Sequence, residues 1–230
     1  MTNNPIYCAI DKSDIDEAIA LINQILPFIG GIKLGLEFFT ANGPEGINKI
    51  KEIGLPIFLD LKLYDIPNTV KKSLSNILSF SPEYTTVHIS GGSEMLNECV
   101  KLKKELNSPT KLIGVTMLTS FNNKLINEIG LQNTVTENVM NLSTLAFKCG
   151  LDGIVCAPLE IDMIKKIYGN KLKLIVPGIR ETHDDANDQK RTLTVKEAFN
   201  AGGDVIVIGR PIVESDSPAE SAEAIQKSLK

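Results

Sequence analysis

Short apolar runs alternate with amphipathic stretches along the whole chain. The apolar runs are rich in isoleucine, valine and leucine, as strands are when both faces of a parallel sheet are covered. The amphipathic stretches repeat apolar residues every three or four positions, which is typical of helices with one buried face. The pattern therefore predicts eight strand–helix pairs. In chain order the predicted strands and helices are 6–10 and 15–26, 31–35 and 45–53, 56–61 and 69–78, 85–89 and 95–106, 111–118 and 135–149, 153–156 and 159–168, 172–176 and 195–201, and 205–208 and 219–229.

Eight successive strand–helix pairs in 230 residues favour an α/β fold of the (β/α)8 TIM-barrel type. We expect a single barrel domain over residues 1–230. A doubly wound open sheet is the alternative, but the GxGxxG fingerprint that usually accompanies it is absent from the sequence. The stretch 177–192 has no regular pattern and is long enough to be a functional loop or lid.

Composition and charge narrow the possible functions. Lys and Arg number 24 and Asp and Glu number 28, and the resulting net charge of −4 argues against general nucleic-acid binding. No run approaches the roughly 18 apolar residues of a membrane span, and the first residues lack the basic region of a signal peptide. We therefore expect a cytoplasmic protein that binds neither nucleic acid nor a membrane. Four cysteines without a CxxC pair and two histidines argue against a zinc site.

The most informative segment is the third predicted strand and the residues after it. Along this strand Ile57, Leu59, Leu61 and Leu63 share one face, while Phe58, Asp60 and Lys62 share the other. In a barrel the surrounding helices require the apolar face, so Asp60 and Lys62 are expected to point inward. A buried charge is costly unless it is paired, and opposite charges two residues apart on one face supply the pair.

Charged residues also end the two preceding strands. Asp11 follows the first strand and Lys33 lies near the end of the second. With Asp60 and Lys62, four ionisable groups would surround the carboxyl-terminal mouth of the barrel, where barrel enzymes place their chemistry. A buried ion pair with no catalytic duty is the simpler explanation, but a network of four charges is costly to keep without a function.

The segment 60–69, Asp-Leu-Lys-Leu-Tyr-Asp-Ile-Pro-Asn-Thr, resembles the DxKxxDIPNT signature of the orotidine 5′-phosphate decarboxylase family. Other segments agree with the family in the same order, and the resemblance covers essentially the whole chain. These segments are Ala9-Ile10-Asp11, Lys33-Leu34-Gly35, Val87-His88-Ile89-Ser90-Gly91-Gly92, Gly114-Val115-Thr116-Met117-Leu118-Thr119-Ser120, Pro177-Gly178-Ile179-Arg180, Asp188-Gln189-Lys190-Arg191 and Ile208-Gly209-Arg210-Pro211. The chain is similar to the short bacterial form, a barrel that works as a homodimer.

The resemblance implies decarboxylation of orotidine 5′-phosphate to uridine 5′-phosphate, the last step of de novo synthesis of that nucleotide, without a cofactor or a metal. Lys62 would stabilise the carbanion at C6 and protonate it, with Asp60 beside the substrate carboxylate. In the family the second aspartate of the motif reaches the partner subunit's site. Asp65, Ile66 and Thr69 would do so here, and the catalytic array would then be Lys33, Asp60, Lys62 and Asp65 of the other chain.

The remaining substrate contacts follow from the same resemblance. Asp11 and Lys33 would hold the ribose hydroxyls, and Thr119, with Ser120 as a second candidate, would bond the pyrimidine edge. Barrels often bind phosphate through the loops after strands seven and eight, because glycine lets the backbone approach and arginine forks onto phosphate oxygens. The residues implied on this side are Pro177, Arg180, Gln189, Gly209 and Arg210.

Two other functions remain open from the sequence. Related barrels that share DxKxxD act on sugar phosphates as aldolases or decarboxylases and use Mg²⁺, although the DIPNT continuation argues against them. A non-catalytic binding barrel is disfavoured by the four charges.

His88, at the end of the fourth strand, is expected to support the site as a satisfied core residue rather than to act on substrate.

Overall fold

The computed structural model describes residues 4–179 and 193–229. Its eight strands are all parallel and lie in chain order. They are β1 (Ile6–Ala9), β2 (Gly31–Leu34), β3 (Ile57–Leu63), β4 (Tyr84–His88), β5 (Lys111–Val115), β6 (Gly153–Val155), β7 (Lys173–Val176) and β8 (Val205–Ile208). Pairing of β1 with β8, for example Tyr7 with Val207, closes the sheet. The predicted (β/α)8 barrel is therefore confirmed over the open sheet.

Helices follow the strands on the outside of the barrel. Within the described residues they are α1 (Ile15–Ile25), α2 (Leu36–Lys51), α3 (Pro67–Ser79), α4 (Gly92–Glu105), α5 (Asn123–Glu128), α6 (Val135–Cys149), α7 (Ile161–Tyr168), α8 (Val195–Asn200), α9 (Arg210–Val213) and α10 (Pro218–Ser228). The short helices α5 and α9 were not predicted, because four to six residues are too few to establish a helical repeat.

Helix α2 differs most from its prediction, which placed the helix at 45–53. The helix starts at Leu36 and is interrupted at Gly43, which has φ 57° and ψ −158° and is followed by Pro44. That backbone conformation is open to glycine alone, and proline suits the first turn of the segment that follows. The Gly-Pro pair therefore bends a helix that begins at Leu36. The sequence pattern predicted only the part of this helix that follows the pair.

Two apolar clusters occupy opposite faces of the strands. The smaller cluster fills the barrel interior and consists of Tyr7, Ala9, Phe58, Tyr84, Ile113, Ile175, Val205 and Val207. The larger cluster lies between strands and helices and includes Ile57 and Leu59. Phe58 is thus inside while its neighbours face the helices, which confirms the predicted faces of β3 and directs Asp60 inward with Phe58.

Two aspartates fasten the amino-terminal end of the barrel. Asp152 precedes β6, and its Oδ2 accepts hydrogen bonds from the backbone N–H of Leu112 at 2.7 Å and from Lys103 Nζ at 2.6 Å. Asp204 precedes β8 and accepts in the same way from the N–H of Leu174 at 2.9 Å and from Lys165 Nζ at 3.1 Å. Each carboxylate therefore joins its strand to the preceding strand and to a helix.

The four cysteines are free thiols. Burial raises the pKa of Cys8 to about 12 and that of Cys99 to about 11, so both behave as inert core residues. Among the described helices, none has the length and apolar character that crossing a bilayer requires.

Candidate active site

The carboxyl-terminal ends of the strands open into a cavity of about 270 Å³. It is lined by apolar residues of the barrel interior and by polar residues from the strand ends and the loops after them. The lining residues are Lys33, Phe58, Asp60, Lys62, Val115, Met117, Leu118, Thr119, Ser120, Val155, Ile175, Pro177 and Val207. An apolar pocket with a few convergent charges is the usual form of a small-molecule site.

The predicted charged residues form one continuous chain of contacts. Lys62 Nζ lies 2.7 Å from Asp60 Oδ2, and Lys33 Nζ lies 3.9 Å from the same oxygen. Lys33 Nζ is also 3.5 Å from Asp11 Oδ1. Asp60 is 6% exposed, so its negative charge is tolerated because two ammonium groups face it. The four strand-end residues thus meet as the sequence predicted, with opposite charges alternating.

Gly35 leaves space beside this array. A Cβ atom at that position would lie 3.0 Å from Lys33 Nζ and 3.4 Å from Asp11 Oδ1. A side chain there would crowd the ammonium, so glycine after β2 leaves Lys33 free to reach both carboxylates.

Sequence reasoning missed Thr86, a fully buried residue of β4. Its hydroxyl donates to Asp60 Oδ1 at 2.9 Å and accepts the backbone N–H of Lys62 at 2.8 Å. Thr86 alternates with Tyr84, which belongs to the interior cluster, so its inward position in the sequence was the available signal. A polar residue in the interior of a barrel strand requires a partner, and here that partner is the Asp60–Lys62 pair.

His88 ends β4 near the same pair. Burial lowers the pKa of its imidazole, and the Lys62 ammonium lowers it further. The ring lies 5.4 Å from the ring of Tyr64, in a tilted arrangement. The imidazole is therefore half-buried and packed on an aromatic ring, and its supporting role stays a prediction.

Four residues of the segment 60–69 lie away from the cavity of their own chain. Asp65 is exposed, and its carboxylate accepts the N–H of Ile66 at 2.6 Å. Ile66 is 67% exposed and Tyr64 is 62% exposed, the two highest fractions among the large hydrophobic residues that the structure describes. Thr69 is also exposed, in the first turn of α3. None of these four side chains lines the described cavity.

A second cavity of about 400 Å³ adjoins the first. Asp11, Gly209 and Arg210 line it, and Lys33 and Pro177 line both cavities. Gly209 precedes α9 and Arg210 begins that helix. The predicted phosphate-side residues Gly209 and Arg210 are therefore adjacent to the charged array. Two further predicted residues, Arg180 and Gln189, lie outside the described residues.

The fold and the site together define a (β/α)8-barrel enzyme with alternating acids and lysines at its mouth. The sequence model of the orotidine 5′-phosphate decarboxylase / HUMPS family matches residues 4–225. The chain belongs to this family.

Named relatives agree with the family match over nearly the full length. An orotidine 5′-phosphate decarboxylase of Wolbachia sp. subsp. Brugia malayi is 50% identical over 228 residues, which is 98% of this chain and 99% of the relative. The enzyme of the same name from Ehrlichia chaffeensis is 46% identical over 230 residues, covering 100% and 98% of the two chains. The crystal structure of orotidine 5′-phosphate decarboxylase from Lactobacillus acidophilus superposes with a TM-score of 0.84 at 33% identity, covering 99% of each chain.

Proposed function

We propose that this protein decarboxylates orotidine 5′-phosphate to uridine 5′-phosphate and carbon dioxide, as a carboxy-lyase of pyrimidine biosynthesis. Membership of the family and the relatives that carry this enzyme's name support the proposal. The observation that carries it is the Lys62 ammonium, 2.7 Å from the buried Asp60 carboxylate in the cavity at the barrel mouth.

The reaction requires a positive group at the carbon that loses the carboxylate. When the bond between C6 and the carboxylate breaks, carbon dioxide leaves and the electron pair stays on C6. Lys62 would stabilise that pair electrostatically and then donate a proton from Nζ to C6, after which solvent restores the ammonium. Asp60 holds the ammonium in place before substrate arrives, so no reorganisation is needed during the reaction.

Repulsion between Asp60 and the substrate carboxylate would make a smaller contribution. Two like charges about 4 Å apart repel by roughly 4 kcal/mol at an effective dielectric constant of about 20. Since each ~1.4 kcal/mol changes the rate tenfold, this repulsion could raise the rate by at most about three orders of magnitude. We therefore assign the larger share to Lys62 and to binding energy from the ribose and phosphate.

The adjoining cavity supports a ligand that extends from the array to the loops after β7 and β8. Because Lys33 and Pro177 line both spaces, one nucleotide could occupy them together. The pyrimidine would lie beside Lys62 and Thr119, and the ribose hydroxyls beside Asp11 and Lys33. Phosphate would then be bound by Gly209 and Arg210 together with Arg180 and Gln189.

We further propose a homodimer in which each chain completes the other's site. Asp65, Ile66 and Thr69 carry the family motif but do not line their own cavity. The exposed side chains of Tyr64 and Ile66 supply apolar surface that a second copy would cover. Asp65 of one chain would then extend the array of Lys33, Asp60 and Lys62 in the other.

A magnesium-dependent reaction on a sugar phosphate is the second candidate, because barrels that share DxKxxD catalyse such reactions and the family description also names HUMPS. The charges oppose it, since Asp60 already faces two ammonium groups and Asp11 faces one. An ultraviolet assay of orotidine 5′-phosphate with and without a chelator separates the two. Chelator-resistant loss of substrate absorbance is expected, and loss that requires added Mg²⁺ would contradict the proposal.

Replacing Lys62 by alanine should remove most of the activity. Because no other ammonium lies in hydrogen-bond contact with Asp60 among the described residues, this variant should lose at least about a thousandfold in turnover. Lys227→Ala, which removes a surface lysine paired with Glu223, is the control and should retain normal turnover. Circular dichroism and size-exclusion chromatography would verify that both variants are folded. Turnover near that of the unsubstituted enzyme in Lys62→Ala would refute the assigned role.

A further inference from the structure

We infer that Thr86 is a positioning residue for the reaction, acting through Lys62 and Asp60; this inference rests on the proposed decarboxylase function. Its hydroxyl lies between the two groups, within hydrogen-bond distance of both. The hydroxyl contacts Lys62 directly at the backbone N–H and reaches the ammonium only through Asp60.

An irregularity in the pairing of β3 with β4 puts Thr86 in this position. Leu59 pairs with Thr85 and Leu63 pairs with Val87. Three residues of β3 therefore stand opposite one residue of β4, which is Thr86. Such bulges interrupt the backbone ladder and redirect side chains, and they occur often beside active sites. Here the Thr86 side chain takes the backbone N–H of Lys62 as its own hydrogen-bond partner.

Lys62 has an unusual backbone conformation at this point, with φ 51°. A lysine in the left-handed region is strained, because its Cβ crowds the following carbonyl oxygen. Such a conformation persists where surrounding contacts hold it, and it is concentrated at functional sites. The hydrogen bond from the Lys62 N–H to Thr86 is a contact of this kind.

The hydrogen-bonding capacity of the hydroxyl accounts for both contacts. A threonine hydroxyl has one proton to donate and lone pairs that accept. The proton goes to Asp60 Oδ1, since a carboxylate can only accept, and a lone pair receives the Lys62 N–H. Asp60 Oδ2 then accepts from Lys62 Nζ at 2.7 Å. Thr86, Asp60 and Lys62 thus form a closed ring of hydrogen bonds that sets where the ammonium lies.

The neighbouring Thr85 provides a matched control. It is also fully buried on β4, and its hydroxyl donates to the backbone oxygen of Leu59 at 3.0 Å. Removing either hydroxyl costs one buried hydrogen-bond donor on the same strand. Only at Thr86 does the loss reach Asp60 and the N–H of Lys62.

The experiment compares Thr86→Val, Thr86→Ala, Thr86→Ser and Thr85→Val by their kcat and KM for orotidine 5′-phosphate. In both Thr86→Val and Thr86→Ala, kcat should fall about 10- to 100-fold, the loss expected when a hydrogen bond to a charged group is removed. KM should change less than about threefold, because the distant phosphate and ribose contacts are kept. Thr86→Ser restores the hydroxyl and should recover kcat to within about threefold. Thr85→Val should keep kcat within about twofold, even if its free energy of unfolding falls by as much as that of Thr86→Val.

A crystal structure of Thr86→Val gives a second readout that does not depend on activity. The expected change is a Lys62 φ outside the left-handed region, or separation of Nζ from Asp60 beyond hydrogen-bond distance. If the unsubstituted enzyme decarboxylates and Thr86→Val retains its kcat, or Thr85→Val loses as much, the inference is wrong while the function stands. If the unsubstituted protein does not decarboxylate, the proposed function fails. Unchanged Lys62 geometry in Thr86→Val would overturn the inference in either case.

Discussion

At the scale of single residues, the neighbours of each charge determine what the site can do. Asp60 is an ordinary acid by type, yet it is buried, accepts from Thr86, and faces the ammonium groups of Lys33 and Lys62. A carboxylate held in this way can neither turn away nor acquire a solvent shell. It therefore holds the Lys62 ammonium beside it, and in the proposed reaction this is the preorganisation that electrostatic catalysis requires.

His88 gives a pH-dependent prediction at the same scale. Burial and the Lys62 ammonium lower the pKa of its imidazole below 6.5, so the unfolded chain binds this proton at a higher pH than the folded chain does. The resulting stability is complete above about pH 6.5 and is lost as the pH falls towards the folded pKa. The slope from this one group is at most about 1.4 kcal/mol per pH unit.

Urea unfolding of His88→Gln and of the unsubstituted protein between pH 7.5 and 5 would measure this slope, at roughly one value per half unit. The unsubstituted protein should lose more stability over the interval than the variant. The Lys71 hydrogen bond lowers the pKa of the Glu98 carboxyl below 4.5, so this group titrates mainly below the interval. Equal slopes for the two proteins would show that His88 binds its proton equally well in the folded and the unfolded chain, which would contradict the prediction.

At the scale of elements, the two ends of the barrel have different tasks. The carboxyl-terminal ends carry the array and both cavities, while the amino-terminal ends carry Asp152 and Asp204 as bridges between strand and helix. In barrel enzymes the first end holds the chemistry and the second contributes stability. The two kinds of acid in this chain are therefore expected to respond differently to substitution.

Asp152→Ala tests that separation. The variant leaves the N–H of Leu112 and the ammonium of Lys103 without this acceptor, so the free energy of unfolding should fall by about 1.5–3 kcal/mol. Turnover should remain unchanged, because the residue is at the far end of the barrel. Asp216→Ala, at an exposed position, should alter stability by less than about 0.5 kcal/mol. A selective loss of turnover in Asp152→Ala would contradict the division between the two ends.

At the scale of the whole molecule, the proposed homodimer depends on surfaces that one chain leaves uncovered. Tyr64 and Ile66 are largely exposed directly after the strand that carries Asp60 and Lys62. A second copy placed over them would remove apolar area from water and bring its own Asp65 to the mouth. Association and catalysis would then depend on the same short segment.

Mixing inactive Lys62→Ala and Asp65→Ala chains tests the shared site. In a mixed dimer, one site combines the intact Lys62 of one chain with the intact Asp65 of the other. Random pairing of co-expressed chains should therefore restore up to about one quarter of the normal activity. Each variant alone is the control and should be nearly inactive. Absence of recovery in verified mixed dimers would assign Asp65 to the pocket of its own chain.

The sequence alone determined the features that depend on local pattern. Alternation of strands and helices predicted the barrel, and the period of two along 57–63 predicted which face of β3 carries Asp60 and Lys62. The positions of Asp11 and Lys33 at strand ends predicted that both would lie close to Asp60 and Lys62, because parallel strands in a barrel bring their carboxyl ends to one side. Family resemblance supplied the substrate, which no spacing of charges specifies.

Tertiary structure decided the features that depend on pairing between distant residues. The bulge opposite Thr86, the left-handed backbone of Lys62 and the bend of α2 at Gly43 all break a local rule. Local patterns describe which face a residue prefers, but the register between strands is set by contacts such as that of Lys62 with Thr86, 24 positions apart. Only the closed barrel brings those atoms together, and so only the structure shows what holds the ammonium in place.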